Sequence, residues 1–142
     1  MRVFITGLGV LGPAGGDVDE LFDSLEQGRR AIRRLALFPT RGDGPRPVAE
    51  LADFAWEGDD LPRTHALARA AAAQLIPLAA PPDAIVLGGT TGGMPLSEAL
   101  LQAGEDDPAR YALHGTGTVA QDLARQLGCT GPALTVSTAC SS

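Results

Sequence analysis

The sequence predicts an α/β fold, and three observations carry that prediction. Ala84-Ile85-Val86-Leu87 and Ala133-Leu134-Thr135-Val136 have the length and branched apolar composition of buried strands. Residues 17–27 and 119–127 instead repeat their apolar positions at helical spacing, and the alanine-rich residues 63–76, closed by Pro77, read as a buried crossover helix. Each strand-like run stops at glycine or small residues, where a chain turns into its next element. With the opening run Arg2-Val3-Phe4-Ile5-Thr6, the order becomes strand, helix, strand, helix, strand. That is the alternation of a parallel sheet with helices on its faces.

Composition sets the outer limits. At 142 residues the chain is one domain or part of one, and 44% apolar against 20% charged residues marks a globular protein. Aromatic residues are few, so alanine, leucine and valine have to fill the core. The formal charge of −6 argues against a nucleic-acid partner. No apolar run reaches the ~20 residues that span a bilayer, and no cleavable signal is present, which points to the cytoplasm. Two cysteines in such a compartment read as free thiols. With two histidines far apart, no metal-ligand spacing is found.

Residues 2–6 read as a buried strand, closed by Gly7-Leu8-Gly9-Val10-Leu11-Gly12. This spells the G-x-G-x-x-G dinucleotide fingerprint, which works only if a helix opens within the motif and meets the pyrophosphate. Pro13-Ala14-Gly15-Gly16 delays the helix, so a glycine-rich loop fits better than a nucleotide-binding oxidoreductase. The first helix then spans residues 17–27, with Val18, Leu21, Phe22 and Leu25 on one face, Asp17 and Glu20 as a capping box and Gly28 as its stop. Arg29, Arg30, Arg33 and Arg34 follow within six residues. They suit a solvated face whose charge complements the helix end, or else a grip on phosphate or an acidic surface.

Residues 39–47 are punctuated by glycine and proline and form a surface loop, and residues 48–51 a short edge strand. Phe54 and Trp56 pin the next loop with buried rings. Asp59 or Asp60 caps an alanine-rich helix over residues 63–76, with Pro62 in its first turn and His65 near its start as a satisfied or surface histidine. The strand over residues 84–87 runs into Gly88-Gly89-Thr90-Thr91-Gly92-Gly93. No Gly-Lys-Ser/Thr follows, which excludes a Walker-type phosphate loop; a tight turn needing positive φ would explain the glycines but not both threonines. A short helix covers residues 95–102, and a further one follows Thr116 or Thr118, with Thr118 and Gln121 as a capping box and Gly128 as its end. His114 precedes that cap, and Cys129 sits in a turn as a small half-buried residue.

The last stretch concentrates the chemistry. Cys140 falls where the final strand stops, the position at which an α/β fold exposes a nucleophile on a tight strand-to-helix turn. Helix N–H groups there lower a thiol's pKa and hold a developing oxyanion. A buried free cysteine at a strand end is the bland counterpart.

Val136-Ser137-Thr138-Ala139-Cys140-Ser141-Ser142 resembles the nucleophile segment of the β-ketoacyl synthases, the condensing enzymes of fatty-acid and polyketide synthesis. Arg2-Val3-Phe4-Ile5-Thr6-Gly7-Leu8-Gly9, Gly88-Gly89-Thr90-Thr91-Gly92-Gly93 and Gly128-Cys129-Thr130-Gly131-Pro132 agree in order and spacing. The resemblance implies a thiolase-like α/β/α layered fold of which residues 1–142 hold the N-terminal portion, most of the first repeat, ending just after the nucleophile. It implies that Cys140 accepts an acyl group and offers its backbone N–H to the oxyanion. Thr91 would fall in the loop bordering the acyl channel, at a position that gates the chain.

The same resemblance implies no tightly bound cofactor, substrates carried on the phosphopantetheine of an acyl carrier protein, and a homodimer or heterodimer in the full-length form. In that family two histidines and a lysine beyond the cysteine complete decarboxylation. Here lysine is absent and both histidines precede Cys140, so the chain alone is expected to be inactive. The alternatives are a non-catalytic partner of the chain-length-factor kind, which usually lacks the cysteine, and a thiolase-type relative.

Overall fold

The computed structural model describes residues 2–42, 44–51, 53–56 and 60–141. The chain divides into two compact units, Met1–Ala55 with Ala73–Leu75, and Trp56–Ala72 with Ile76–Ser142.

In the first unit, helix α1 (Val18–Glu26) begins where the sequence asks it to. Asp17 accepts a hydrogen bond from Glu20 N at 2.8 Å, satisfying one of the helix's free N–H groups. The Glu20 carboxylate accepts from Gly16 N at 2.8 Å, one residue ahead of the donor a capping box uses. Gly28, at φ +60°, ends the helix, with Arg29 N bonded to Ser24 O at 2.9 Å. The expected apolar face is only half covered: Phe22 and Leu25 are 59% and 68% exposed.

Residues 2–6 do not form the predicted strand. They enter neither of the two sheets, and Val3, Phe4 and Ile5 stand in solvent. A strand is stabilised by the neighbour that takes up its N–H and C=O groups, and residues 2–6 have no such neighbour among the described residues. The edge strand predicted over residues 48–51 is shifted and shorter. β2 (Pro47–Val48) pairs antiparallel with β1 (Arg33–Arg34), Arg33 opposite Val48. It stops early because Glu50 turns inward as an acceptor. Its buried carboxylate takes Ala36 N at 2.9 and 3.0 Å. Gln74 completes the unit, donating to Val10 O and Gly16 O at 2.7 Å and accepting from Val10 N at 3.0 Å.

The second unit holds the core. α2 (Arg63–Ala73) opens with Ala66 N bonded to the Pro62 carbonyl and ends short of the expected residue 76. Trp56, half-buried like Phe54, donates from Nε1 to Leu61 O at 2.7 Å. Asp60 is exposed and lies 3.4 Å from Arg110 Nη1; Asp59 lies outside the described residues. β3 (Ile85–Gly88) and β4 (Ala133–Val136) pair in parallel, Ile85 opposite Ala133 and Gly88 opposite Val136. The connection between them carries α3 (Met94–Gln102), a turn of 3-10 helix (Pro108–Tyr111) and α4 (Gly117–Leu127).

α4 packs across both strands. It buries Val119, Ala120, Leu123 and Ala124; Leu100 of α3 is buried as well. Gly128 in the left-handed conformation ends α4 as expected. The Thr118–Gln121 capping box does not form. The helix starts at Gly117, so Thr118 is already inside it and its hydroxyl donates to Gly115 O at 2.6 Å.

Candidate active site

β3 and β4 run in the same direction, so the loops that leave their carboxyl ends emerge at one edge of the sheet. Ligands of open α/β sheets bind outside that edge. The loop after β3 carries Thr91 and the loop after β4 carries Cys140, and Gly89 N extends the pairing past the strand by bonding Val136 O at 3.2 Å. The two residues singled out in the sequence therefore leave adjacent strand ends. Both are exposed.

Cys140 sits in a single 3-10 turn, Ala139–Ser141, four residues beyond β4. Its thiol is free and faces solvent and not the core. Ala139, directly before it, has φ +56°, the one described residue other than glycine in the left-handed region. That conformation costs about 1 kcal/mol or more for an L-residue and is found where the chain has to aim a side chain. The left-handed residue opens the 3-10 turn that carries Cys140.

The loop of residues 88–93 is clamped at its far end. A methyl group added to Gly92 would lie 2.4 Å from His114 O, and one on Gly93 would lie 2.3 Å from Leu113 O. Gly93 N donates to His114 O at 3.2 Å, and Thr64 Oγ1 donates to Gly92 O at 2.9 Å. The glycines are there for close approach of two backbones. None of residues 88–93 has positive φ, which corrects the tight-turn expectation. Thr91 is carried on the free side of this clamp.

The two histidines are engaged elsewhere. His114 Nδ1 is 2.8 Å from Ser97 Oγ. His65 is fully buried, with Nε2 at 3.0 Å from Thr118 Oγ1. The Thr118 hydroxyl spends its proton on Gly115 O, so it accepts from His65 Nε2–H. Nδ1 is then a buried acceptor without a partner among the described residues. Burial, the largest influence, holds the His65 pKa below its usual value.

Sequence reading missed the ion pair beside it. Arg69 grips Asp122 with two bonds of 2.6 Å, and Arg125 adds a third at 3.1 Å. Hydrogen bonding from Arg69 depresses the Asp122 pKa despite burial. Arg69 and Asp122 are 53 residues apart on two helices, so no local pattern announces them. Among the described residues no cluster of histidine, cysteine and carboxylate side chains is placed to hold a metal. The G-x-G-x-x-G stretch offers no helix to a dinucleotide: α1 begins only at Val18, and Gly12 and Gly15 bond each other instead.

No family model matches the chain. Over 175 residues it is 29% identical to a putative polyketide β-ketoacyl synthase of Streptomyces cyaneus, covering 99% of this chain and 40% of that one. The ishigamide ketosynthase/chain length factor superposes on 94% of the chain at a TM-score of 0.75 and 29% identity. The chain is ketosynthase-like. It carries part of a thiolase-like fold and spans about 40% of the length of the relatives it matches. Among the described residues no helix of this ketosynthase-like chain is long and apolar enough to cross a membrane.

Proposed function

We propose that this chain is the nucleophile-bearing front portion of a condensing enzyme of polyketide or fatty-acid synthesis, ending just after Cys140. The observation that carries the reading is the exposed Cys140 thiol, aimed by the reversed backbone at Ala139 from the end of a parallel strand in a ketosynthase-like fold. Its thiolate attacks the carbonyl of an acyl thioester carried on the phosphopantetheine of an acyl carrier protein. A new C–S bond forms to Cys140, and the carrier thiolate leaves and takes up a proton. The Cys140 backbone N–H is a donor for the developing oxyanion, and Thr91 borders the acyl chain. The acyl group then passes to a carbanion made by decarboxylating a malonyl thioester.

That second half needs residues these 142 do not offer. There is no lysine, and His65 and His114 are bonded to Thr118 and Ser97. We therefore place the chain in a longer polypeptide or a dimer of the cytoplasm, with no tightly bound cofactor. A second reading is a non-catalytic partner of the chain-length-factor kind, favoured by the structural neighbour being a ketosynthase/chain length factor.

Intact-mass measurement after incubation with an acyl thioester separates the two. For the protein expressed at the full extent of its gene, one acyl adduct is expected, absent from Cys140→Ala; the 142 residues alone give no condensation product. A full-length protein whose Cys140 takes iodoacetamide but never an acyl group would be the non-catalytic partner.

A further inference from the structure

Four arginines between residues 29 and 34 are the densest charge in a chain whose net charge is −6. The structure adds what the spacing alone lacks, a concavity behind them. Arg29, Arg30 and Arg33 line a cavity of about 220 Å³ with Ser24 and the apolar Pro13, Ala14 and Ala31. No carboxylate is among its lining residues, and among the described residues none of the three guanidiniums is within salt-bridge distance of one.

We infer that Arg29, Arg30 and Arg33 form a binding site for a phosphate-class oxyanion, free or as a small ester, in this concavity. Guanidinium forks match tetrahedral oxyanions with paired charge-assisted hydrogen bonds. The three arginines are solvent-exposed and line one hollow, so their like charges repel each other until an anion neutralises them. The polar neighbours do not compete for the site. Ser24 donates its hydroxyl to Ala14 O, and the last carbonyls of α1 are bonded by the N–H groups of Gln27, Gly28 and Arg29. Arg33 also borders an adjoining cavity of about 380 Å³ lined by Glu20, Glu50 and Asp53. Glu20 and Glu50 there are already hydrogen-bonded to Gly16 N and to Ala36 N and Leu37 N, and the exposed Asp53 is not within salt-bridge distance of Arg33. The small volume favours a compact anion over a protein surface. The site lies in the first unit and Cys140 in the second, so it stands independently of the acyl-transfer reading.

Phosphorus NMR titration of the full chain tests it, with inorganic phosphate, pyrophosphate and methyl phosphate as separate arms. Binding on the order of 1 mM or tighter is expected. Replacing all three arginines by glutamine should weaken it by about tenfold or more, while a triple lysine variant, keeping charge without the fork, should retain part of it. Arg41→Gln, an exposed arginine of the same unit, should leave binding unchanged. Equal binding of methyl phosphate and phosphate assigns the site to esters; phosphate alone assigns it to the free ion. If the triple glutamine variant loses its circular dichroism, Arg30→Gln alone is measured, with a loss of about threefold expected. Wild-type and glutamine variants binding alike, or Arg41→Gln costing as much, would overturn the site.

Discussion

The two units spend their apolar residues differently. In the second, α4 lays Val119, Ala120, Leu123 and Ala124 onto a parallel strand pair, and every buried apolar side chain of the described core belongs to it. In the first, the buried side chains are polar, Ser24 and Glu50, while Val3, Phe4, Ile5, Leu8, Phe22 and Leu25 are exposed. The second unit adds apolar packing to its buried polar bonds, whereas the first relies on side-chain bonds to loop backbone from Gln74, Glu50 and Ser24. Apolar pattern therefore does not produce a strand or a covered helix face unless another element arrives to be packed against.

The largest effect that sharpens this contrast is a pair of truncations. Leu123→Ala should cost about 3 kcal/mol by cavity formation. Phe22→Ala, in the first unit, should stay within about 0.5 kcal/mol. Urea unfolding measures both; similar losses would mean that α1 is buried in solution and the contrast is false. Next comes the loop clamp. Gly93→Ala drives a methyl group against Leu113 O, so about 1–3 kcal/mol is expected. The test that the clamp positions the site is a change in the rate at which a thiol reagent modifies Cys140 relative to Cys129.

The smallest effect is acid sensitivity. The folded state holds the His65 pKa below the ordinary 6.5, so the unfolded chain binds the extra proton first. Stability from this residue is fully present above about pH 6.5 and is lost as pH falls below it. His65→Gln should flatten the decline in stability that sets in below about pH 6.5, read from thermal midpoints measured at successively lower pH. Asp122, whose pKa is depressed, adds a second decline below about pH 4 that His65→Gln leaves in place.

Much of the second unit was legible in the sequence. β3 and β4 announced themselves as short β-branched runs, and Gly28 and Gly128 marked helix ends because a left-handed residue is cheap only there. The place of Cys140 just beyond a strand was legible too. Residues 2–6 misled because composition records a willingness to pair and not the presence of a partner. Thr118 misled because a cap depends on where the first turn starts, and the close packing of Gly92 and Gly93 on residues 113–115 sets that start. The Arg69–Asp122 pair was invisible because its members meet only when α2 and α4 are both in place.

The parallel register of β3 and β4 has a consequence for the order in which the molecule assembles. Ile85 waits for Ala133, 133 − 85 = 48 residues later, before its strand has a neighbour. A separation of that size makes sheet closure a late, entropically expensive event, after the intervening helices have shortened the loop. Cys140 follows the closing strand, so the chain fixes its place at the strand end only once the crossover is folded. During synthesis the ends of β3 and β4 are thereby kept apart until the helices between them have been made.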